Sequence, residues 1–507
     1  MSFSLRNSSQ IPMYSFEKNG RPQSLTSLDA YNTYNYDHSS HLQLDDDAFQ
    51  QEKGAQEKAL VRRLDLFILP LICIIDFLQF LDKSTINYAA AFTFKEDLKL
   101  EGNQFSMIGS IFYAGYFVFQ IPNNYLLQRV PLGKYIGTIV FLWGGVLTAM
   151  AFGHNFSQMM AMRFLLGLFE AGIYPSLTLL VSTFYRRTEQ APRLGAFWLC
   201  NGFALCFGGL ISYGIGNMKT TLFATWQWIM LIMGLVTCVM GVICFLFLID
   251  NPKSPALGLN AEQSVLVEQR TRDNAVFRTT MVKKHQIIEA IKEPRLWCLC
   301  LAAMFLNVQN GGITIYNTQL ISAFGFDQLQ SVLLSAGSGI SDIIYICGSV
   351  YIVTRKEGRV LYTAMGLMTM DLVGLLLLLL IPNPKLKLIG FYLCWPYAAT
   401  YVLILTCITN NVSGYTKKIF YNGVITIFYT IGNFVGPFML IEDQKPSYYG
   451  GMIGYCCSCF LCIVCLGIAR WSMARINVTR SQHRPDENKP VEQDLTDVED
   501  PGFIYLL

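Results

Sequence analysis

Charge is what this chain has least of. Only 14% of its 507 residues are Asp, Glu, Lys or Arg, against 52% hydrophobic, whereas a soluble domain carries about a quarter charged residues. So few charges cannot cover a water-facing surface of this size, and lipid is the expected solvent. The net charge of +3 is too small and too scattered for a nucleic-acid surface, so nucleic acid is excluded as a partner. Histidine is scarcer still, five in all, and none falls in an apolar run. That removes the partner that would turn the Cys459, Cys462, Cys465 spacing into a metal site. No metal is expected. Nearly all of the fifteen cysteines sit within apolar runs and read as small hydrophobes packing helices.

Catalytic signatures are missing too. There is no GxSxG elbow, no HExxH, no GxGxxG following a strand, and Gly133-Lys134 is followed by tyrosine rather than completing a phosphate loop. The chain is therefore not expected to be an enzyme, and no cofactor is implied. Without an ATP-driven engine, a proton gradient is the expected energy source for any uphill work. The amino terminus lacks the charged start, short apolar core and small-residue cleavage site of a secretory signal. Residues 1–64, polar and rich in Tyr and Ser, read as a disordered cytosolic tail.

What the chain does have is long apolar runs. Twelve can be laid down, at about 65–89, 104–127, 135–153, 157–183, 193–216, 226–249, 296–321, 331–354, 360–381, 388–411, 419–440 and 449–472. A polar segment, 251–295, splits them into six plus six, giving bundles over 65–250 and 296–474 and a cytosolic tail over 475–507. Basic residues orient the spans: Arg62, Arg63, Arg129, Lys134, Arg186, Arg187, Lys283, Lys284, Arg355, Arg359, Lys417 and Lys418 all fall on one side. Both termini are therefore expected in the cytosol. Two six-span halves joined by a long loop suit a carrier whose bundles rock about a central site. A faint echo between QRVPLGK (128–134) and TRKEGR (354–359) fits an internal repeat. Gly202, Gly209, Gly432 and Gly436 predict close helix crossings.

Charges inside these runs are costly and mark candidate ion or substrate paths. In RFLLGLFEAG (163–172), Arg163, Gly167 and Glu170 share one helix face, with the glycine expected to clear space between the two charges. Glu170 reads either as half of a permanent ion pair with Arg163 or another helix, or as a proton site, because low dielectric and a movable cation both shift a carboxyl. In the first run, Asp76, Gln79 and Lys83 share a face, while Asp82 is turned about 100° from Lys83. Lys83 reads either as a snorkelling lysine near a membrane surface or as the cation that draws an anion into a cavity. Asp342 and Asp371 are the remaining carboxylates in the runs, and Asp371, with no polar residue at helical spacing, reads as structural. Tyr113, Tyr116, Gln120, Trp198, Asn201, Asn307, Gln309, Asn310 and Asn433 are candidate cavity residues, and each serves equally well for hydrogen bonds between helices.

Six stretches together carry a family resemblance: FLDKSTINYAA (80–90), RFLLGLFEAGIYPS (163–176), TFYRRTEQAPRLGAFW (183–198), SGYTKK (413–418), IGNFVGP (431–437) and DLTDVEDPGFIY (494–505). From about Leu66 to the carboxyl tail the chain resembles the major facilitator superfamily, and within it the anion:cation symporters of the fungal allantoate-permease branch. The resemblance implies an all-α membrane protein, twelve transmembrane helices in two six-helix bundles, the major facilitator fold. It also implies a monomer in the lipid bilayer of the plasma membrane, importing a small anionic substrate (a carboxylate, ureide, vitamin or sulfur-containing anion) with protons. By the same resemblance Asp82 and Glu170 are the proton-coupling pair. Lys83 and Arg163 contact substrate or balance those acids, and Tyr116 and Asn433 line the cavity; Gln309 and Asn310 join them as substrate-binding candidates. Two departures stand out: bacterial relatives usually have arginine at Lys83, and Gln128 stands where the superfamily's loop motif has an acid. Two other functions remain open, a nutrient-sensing receptor without net transport and a proton antiporter that exports amphipathic compounds; the direction of flux separates them from import.

Overall fold

The computed structural model describes residues 15–16, 22–23 and 57–507, except 128, 219–221, 250–253, 255–256, 259, 261–262, 268–282, 356–357, 481–494 and 501. Most of the expected amino-terminal tail, much of the 251–295 linker and Gln128 lie outside the described residues. Apart from a two-residue strand pairing, Ser15–Phe16 with Pro22–Gln23, the regular structure of the described residues is helical.

The first half comprises α1 (Leu69–Ala89), the short α2 (Phe94–Asp97), α3 (Gln104–Leu126), α4 (Leu132–Met150), α5 (Phe156–Glu170), α6 (Ile173–Phe184), α7 (Arg187–Gly216) and α8 (Thr225–Phe247). The second comprises α9 (Lys284–Lys292), α10 (Pro294–Ala323), α11 (Gln328–Arg355), α12 (Val360–Leu380), α13 (Lys387–Leu393), α14 (Pro396–Asn411), α15 (Tyr415–Val435) and α16 (Tyr449–Arg480). Local sequence sets several ends. Proline occupies the first turn of α1, α10 and α14, where its missing N–H has no helical partner to lose. Asn155 caps α5 by accepting from the Gln158 N–H at 2.9 Å. Two expected single spans are interrupted, 157–183 by a turn at Ala171–Gly172 and 388–411 at Cys394–Trp395.

Among the described residues, eleven helices are long and apolar enough to cross a membrane, not the expected twelve. The expected second span, α3, is a helix of 23 residues but is not among the eleven. The reason is chemical: Ser106, Ser110, Tyr113, Tyr116 and Asn123 on α3 are all buried in the protein, so this helix spends its polar side chains inward instead of presenting an all-apolar surface.

Within the first half α4 packs along α8, α3 along α5, and α1 along α7 and α8; in the second, α10 packs along α15 and α16, and α12 along α14 and α16. The halves meet where α7 crosses α11, α3 meets α15 and α1 meets α10. Glycine permits the closest of these approaches, as its placement predicts. A Cβ on Gly339 would lie 2.3 Å from the Gly202 carbonyl oxygen, across the α7–α11 crossing.

α1 and α10 are tied near their carboxyl-terminal ends. The Thr318 N–H donates to Asn87 Oδ1 and its hydroxyl to the Asn87 carbonyl, each at 2.7 Å. Nearby, the Ser106 hydroxyl pairs with that of Tyr316 at 2.7 Å and donates to the Pro437 carbonyl at 3.0 Å. Lys95 reaches Glu442 at 3.7 Å. These contacts join the two halves on the face away from the start of α1.

On the opposite face, the carboxyl-terminal residues 495–500 and 502–507 pack back onto the second half. Fully buried Asp497 pairs with Arg295 and, at 2.9 Å, with Lys417, and accepts from the Tyr505 hydroxyl at 2.8 Å. Asn411 holds Leu506 through both amide atoms, at 2.8 and 2.6 Å. The Glu289, Glu293 and Asp497 carboxylates converge closely enough to suggest a metal cluster. Lys417 pairs with all three and Arg295 with Glu293 and Asp497, so two protein cations already occupy the cluster.

Candidate functional site

The face of α1 that carries Gln79 and Lys83 one turn apart, with Phe80 beside them, opens on a small cavity. Its free space is narrow, little more than a water needs. α3 adds Phe112, Tyr113 and Tyr116 to the wall; Glu170 and Tyr174 flank the break between α5 and α6, and α15 of the second half contributes Tyr429. Lys83 lies six residues before the end of α1, about 9 Å along the axis, and points into protein. Its ammonium sits 5.0 Å from the centroid of Tyr113 and 5.5 Å from that of Phe80, a cation held against aromatic faces.

Glu170 is 1% exposed, and its Oε2 has no hydrogen-bond partner. Among the described residues neither Glu170 nor Lys83 belongs to an ion pair, so the two opposite charges share a cavity without neutralising each other in contact. Arg163 is 1% exposed, with Nε and Nη2 unpartnered. It does not line the cavity but lies within electrostatic reach of Glu170 and Asp82. The helix face predicted to carry Arg163, Gly167 and Glu170 is the buried one. The expected purpose of Gly167 needs correction, however: a Cβ there would fall 1.9 Å from the Phe112 carbonyl oxygen, so the glycine admits the α3 backbone rather than opening space between the charges.

Asp82 points elsewhere, as its rotation from Lys83 predicts. One carboxylate oxygen accepts from Trp143 Nε1 and from the Thr237 hydroxyl, both at 2.7 Å. It stands among α1, α4 and α8 and not on the cavity wall. Of the residues singled out in the sequence, the structure therefore brings Lys83, Glu170, Gln79, Tyr113 and Tyr116 together, and sets Asp82 and Arg163 just behind them.

The amide residues divide into two groups. Asn307 Oδ1 accepts from Asn433 Nδ2 at 2.9 Å and from Asn310 Nδ2 at 3.0 Å, and Asn310 accepts from the Thr314 hydroxyl at 3.1 Å. This ladder joins α10 to α15 beside the cavity without lining it. Gln309 faces the other way, donating to Asp371 at 2.7 Å and to the Cys394 carbonyl at 2.9 Å. Asp371 thus has a polar partner that spacing along its own helix could not reveal.

Tyr429, Tyr174, Phe80 and Phe112 carry no such mark in the sequence. Tyr429 precedes Asn433 by one helical turn, and that spacing is the one signal that points to it. An aromatic row crosses between the halves here: Tyr174 stacks on Trp198 at 5.5 Å, Trp198 meets Tyr401 edge-on at 6.0 Å, and Tyr401 leans on Tyr429 at 5.2 Å.

The sequence profile of the Major Facilitator Superfamily matches residues 72–437, well over half the chain. The chain belongs to the Major Facilitator Superfamily. It is accordingly a multi-pass membrane carrier that works by alternating access, and not an enzyme. A thiamine pathway transporter of Saccharomyces cerevisiae, THI73, is 31% identical over 88% of this chain and 86% of its own length. An allantoate permease from the same organism is 27% identical over 92% of this chain and 90% of its own. Among solved structures, a bacterial homologue of the human lysosomal transporter Spinster, inward-facing and occupied, superposes with a TM-score of 0.58 at 15% identity, covering 83% of this chain and 98% of that one. At that identity the likeness speaks to the superfamily fold alone.

Proposed function

We propose that this facilitator imports a small organic anion together with protons. The observation that carries the reading is the shared cavity: Lys83 and Glu170, unpaired with each other, face one space walled by the first half and closed by Tyr429 of the second. A lysine there attracts an anion, and a buried carboxylate beside it takes or releases a proton as the anion enters or leaves. Movement of Tyr429 away with its half would open the site to one face at a time. Proton and anion then bias the equilibrium by binding one state better than the other. In this reading Glu170 exchanges the proton and Asp82, held by Trp143 and Thr237, is the second coupling acid. Arg163 balances both, and Tyr116 shapes the wall. Asn433, Asn310 and Gln309 act on substrate indirectly, by setting how α15 and α10 sit. α3 is taken as the twelfth span, the carrier as a monomer in the plasma membrane, and both termini as cytosolic. The resemblance to the allantoate permease supports an anion as cargo without naming it.

The test is a reconstituted vesicle loaded with a pH-sensitive dye, to which a panel of small anions is added outside. At least one anion is expected to carry protons inward and to accumulate when the outside is acidic. Glu170→Gln is expected to remove the dependence on the pH gradient, and Lys83→Ala to abolish uptake. Accumulation unchanged when the gradient is collapsed would refute coupling, and outward flux alone would favour an exporter.

A further inference from the structure

The second half carries an open groove of about 680 Å³ whose lining shares no residue with the Lys83 cavity. It lies between α11 and α12 and runs from Arg359, in the loop that joins them, past Ile352, Tyr362, Thr363 and Gly366 to Met370. The α12 residues recur at intervals of three and four and so share one helix face. α11 spends its main packing on α7, and α12 on α14 and α16, which leaves the gap between them thinly filled. Gly366 helps to keep it open, since a Cβ there would meet no atom within 4 Å. We propose that this groove binds one anionic phospholipid of the cytosolic leaflet, with an acyl chain along α12 and the phosphate at Arg359.

Length, surface and charge each point to that occupant. From Arg359 to Met370 the groove extends about 16 Å along the helix, and one leaflet is about 15 Å of a hydrocarbon core about 30 Å thick. Ile352, Tyr362 and Met370 are 44%, 56% and 43% exposed, so the groove opens sideways onto the surface that lipid covers. Exposed rings paired with arginines mark the headgroup level: Tyr351 with Arg355 at 4.9 Å, Tyr362 with Arg470 at 3.7 Å and Trp471 with Arg475 at 5.4 Å. Amphipathic rings and basic heads settle at the membrane interface. Among the described residues neither Arg359 nor Arg470 enters an ion pair, and the buried Arg470 Nε has no hydrogen-bond partner. The only acids on α11 and α12, Asp342 and Asp371, are buried, and α16 has none. A phosphate therefore meets cations and no exposed carboxylate on these helices. Lys356 and Glu357 of the loop, opposite in charge, lie outside the described residues. With both termini taken as cytosolic, the mouth faces the leaflet that holds anionic lipid. An acyl chain gains little on leaving bulk lipid for an apolar wall, so the headgroup supplies the preference, about fivefold in occupancy for one arginine.

The test uses full-length protein in phosphatidylcholine bilayers that contain a trace of phosphatidylglycerol, or of phosphatidylcholine, with a photoreactive diazirine on the acyl chain. Labelled residues are mapped by mass spectrometry. The anionic probe is expected to label the groove, 352–370, about fivefold or more above the zwitterionic one. Arg359→Gln should cut labelling by the anionic probe about fivefold and leave labelling by phosphatidylcholine unchanged. Gly366→Leu, which places a side chain in open space, should lower labelling of Met370 by the anionic probe. Equal labelling by the two probes, or labelling indifferent to both substitutions, overturns the inference. So does loss of labelling on adding glycerol phosphate, which would make the mouth a site for free phosphate. Protection of the groove only in discs that hold two copies would give it to a second copy of the chain and overturn the inference as well. The comparison of probes on the parent protein decides the matter if a variant does not fold. Neither variant bears on the Lys83 cavity, so failure of the import reading leaves this site standing, and the reverse.

Discussion

Adjacent residues on α1 have taken different jobs because a helix turns about 100° per residue. Lys83 looks into the cavity, while Asp82 is held by two donors from α4 and α8. A buried carboxylate stripped of one donor loses a charge-assisted hydrogen bond and retains its desolvation cost. Trp143→Phe is therefore expected to destabilise the protein by about 1–3 kcal/mol, read as a lower melting temperature, with Lys83-dependent anion binding retained. If melting is unchanged, the Trp143 bond is not what anchors Asp82. The adjacency of the two charges within FLDKST makes this division of labour legible in the sequence. The identity of the donors is not legible there, since they come from residues 61 and 155 positions away.

At the scale of elements, two features fix how helices move as units. The α3–α5 crossing depends on Gly167 lying against the α3 backbone. Even Gly167→Ala must push the helices apart, and with them Glu170 from Tyr113 and Tyr116. Loss of about 2 kcal/mol or more of stability is expected, with weakened anion binding. Wild-type melting and binding in that variant would show that the crossing has slack. The second feature is the carboxyl-terminal segment on α9, α10, α14 and α15. Burial alone would raise the Asp497 carboxyl, but Arg295 and Lys417 outweigh it and hold the group below the usual carboxylate range. The sign follows: a depressed carboxyl contributes stability above its unfolded value, about 3.9, and loses that contribution as pH falls through the folded value. Docking of this segment is expected to be intact at neutral pH and to weaken below about pH 4. Asp497→Asn should lose it at every pH, seen as protease cleavage within the segment. A segment equally protected in the variant would show that Asn411 and the other contacts suffice.

At the scale of the whole molecule, the two halves are bound together at the far ends of α1 and α10, and Tyr429 and the aromatic row carry the second half to the cavity. The Asn87–Thr318 bonds belong to the state seen here and are broken when that face opens. At about 1 kcal/mol each, removing them with Asn87→Ala and Thr318→Val is expected to shift the balance on the order of tenfold toward the open far face. Hydrogen exchange should quicken at the ends of α1 and α10. Exchange confined to the parent rate would mean that Ser106, Tyr316 and Lys95 hold that face by themselves.

The sequence by itself determined the solvent and the helical class, because scarce charge and apolar runs of fixed length leave lipid-spanning helices as the only economical solution, and its motifs pointed to the superfamily. It also determined which charges were out of place, Lys83, Asp82, Arg163 and Glu170, since a charge in an apolar run is conspicuous against its neighbours. Tertiary structure alone decided which of them meet. Rotation of one helix against another has no signature along either chain segment, so Gln309 could turn to Asp371 and Tyr429 to Lys83 without local cost. The same holds for α3: its polar residues made it a weak span by composition, and only its neighbours explain why they are there, buried in the seam between α5 and α15.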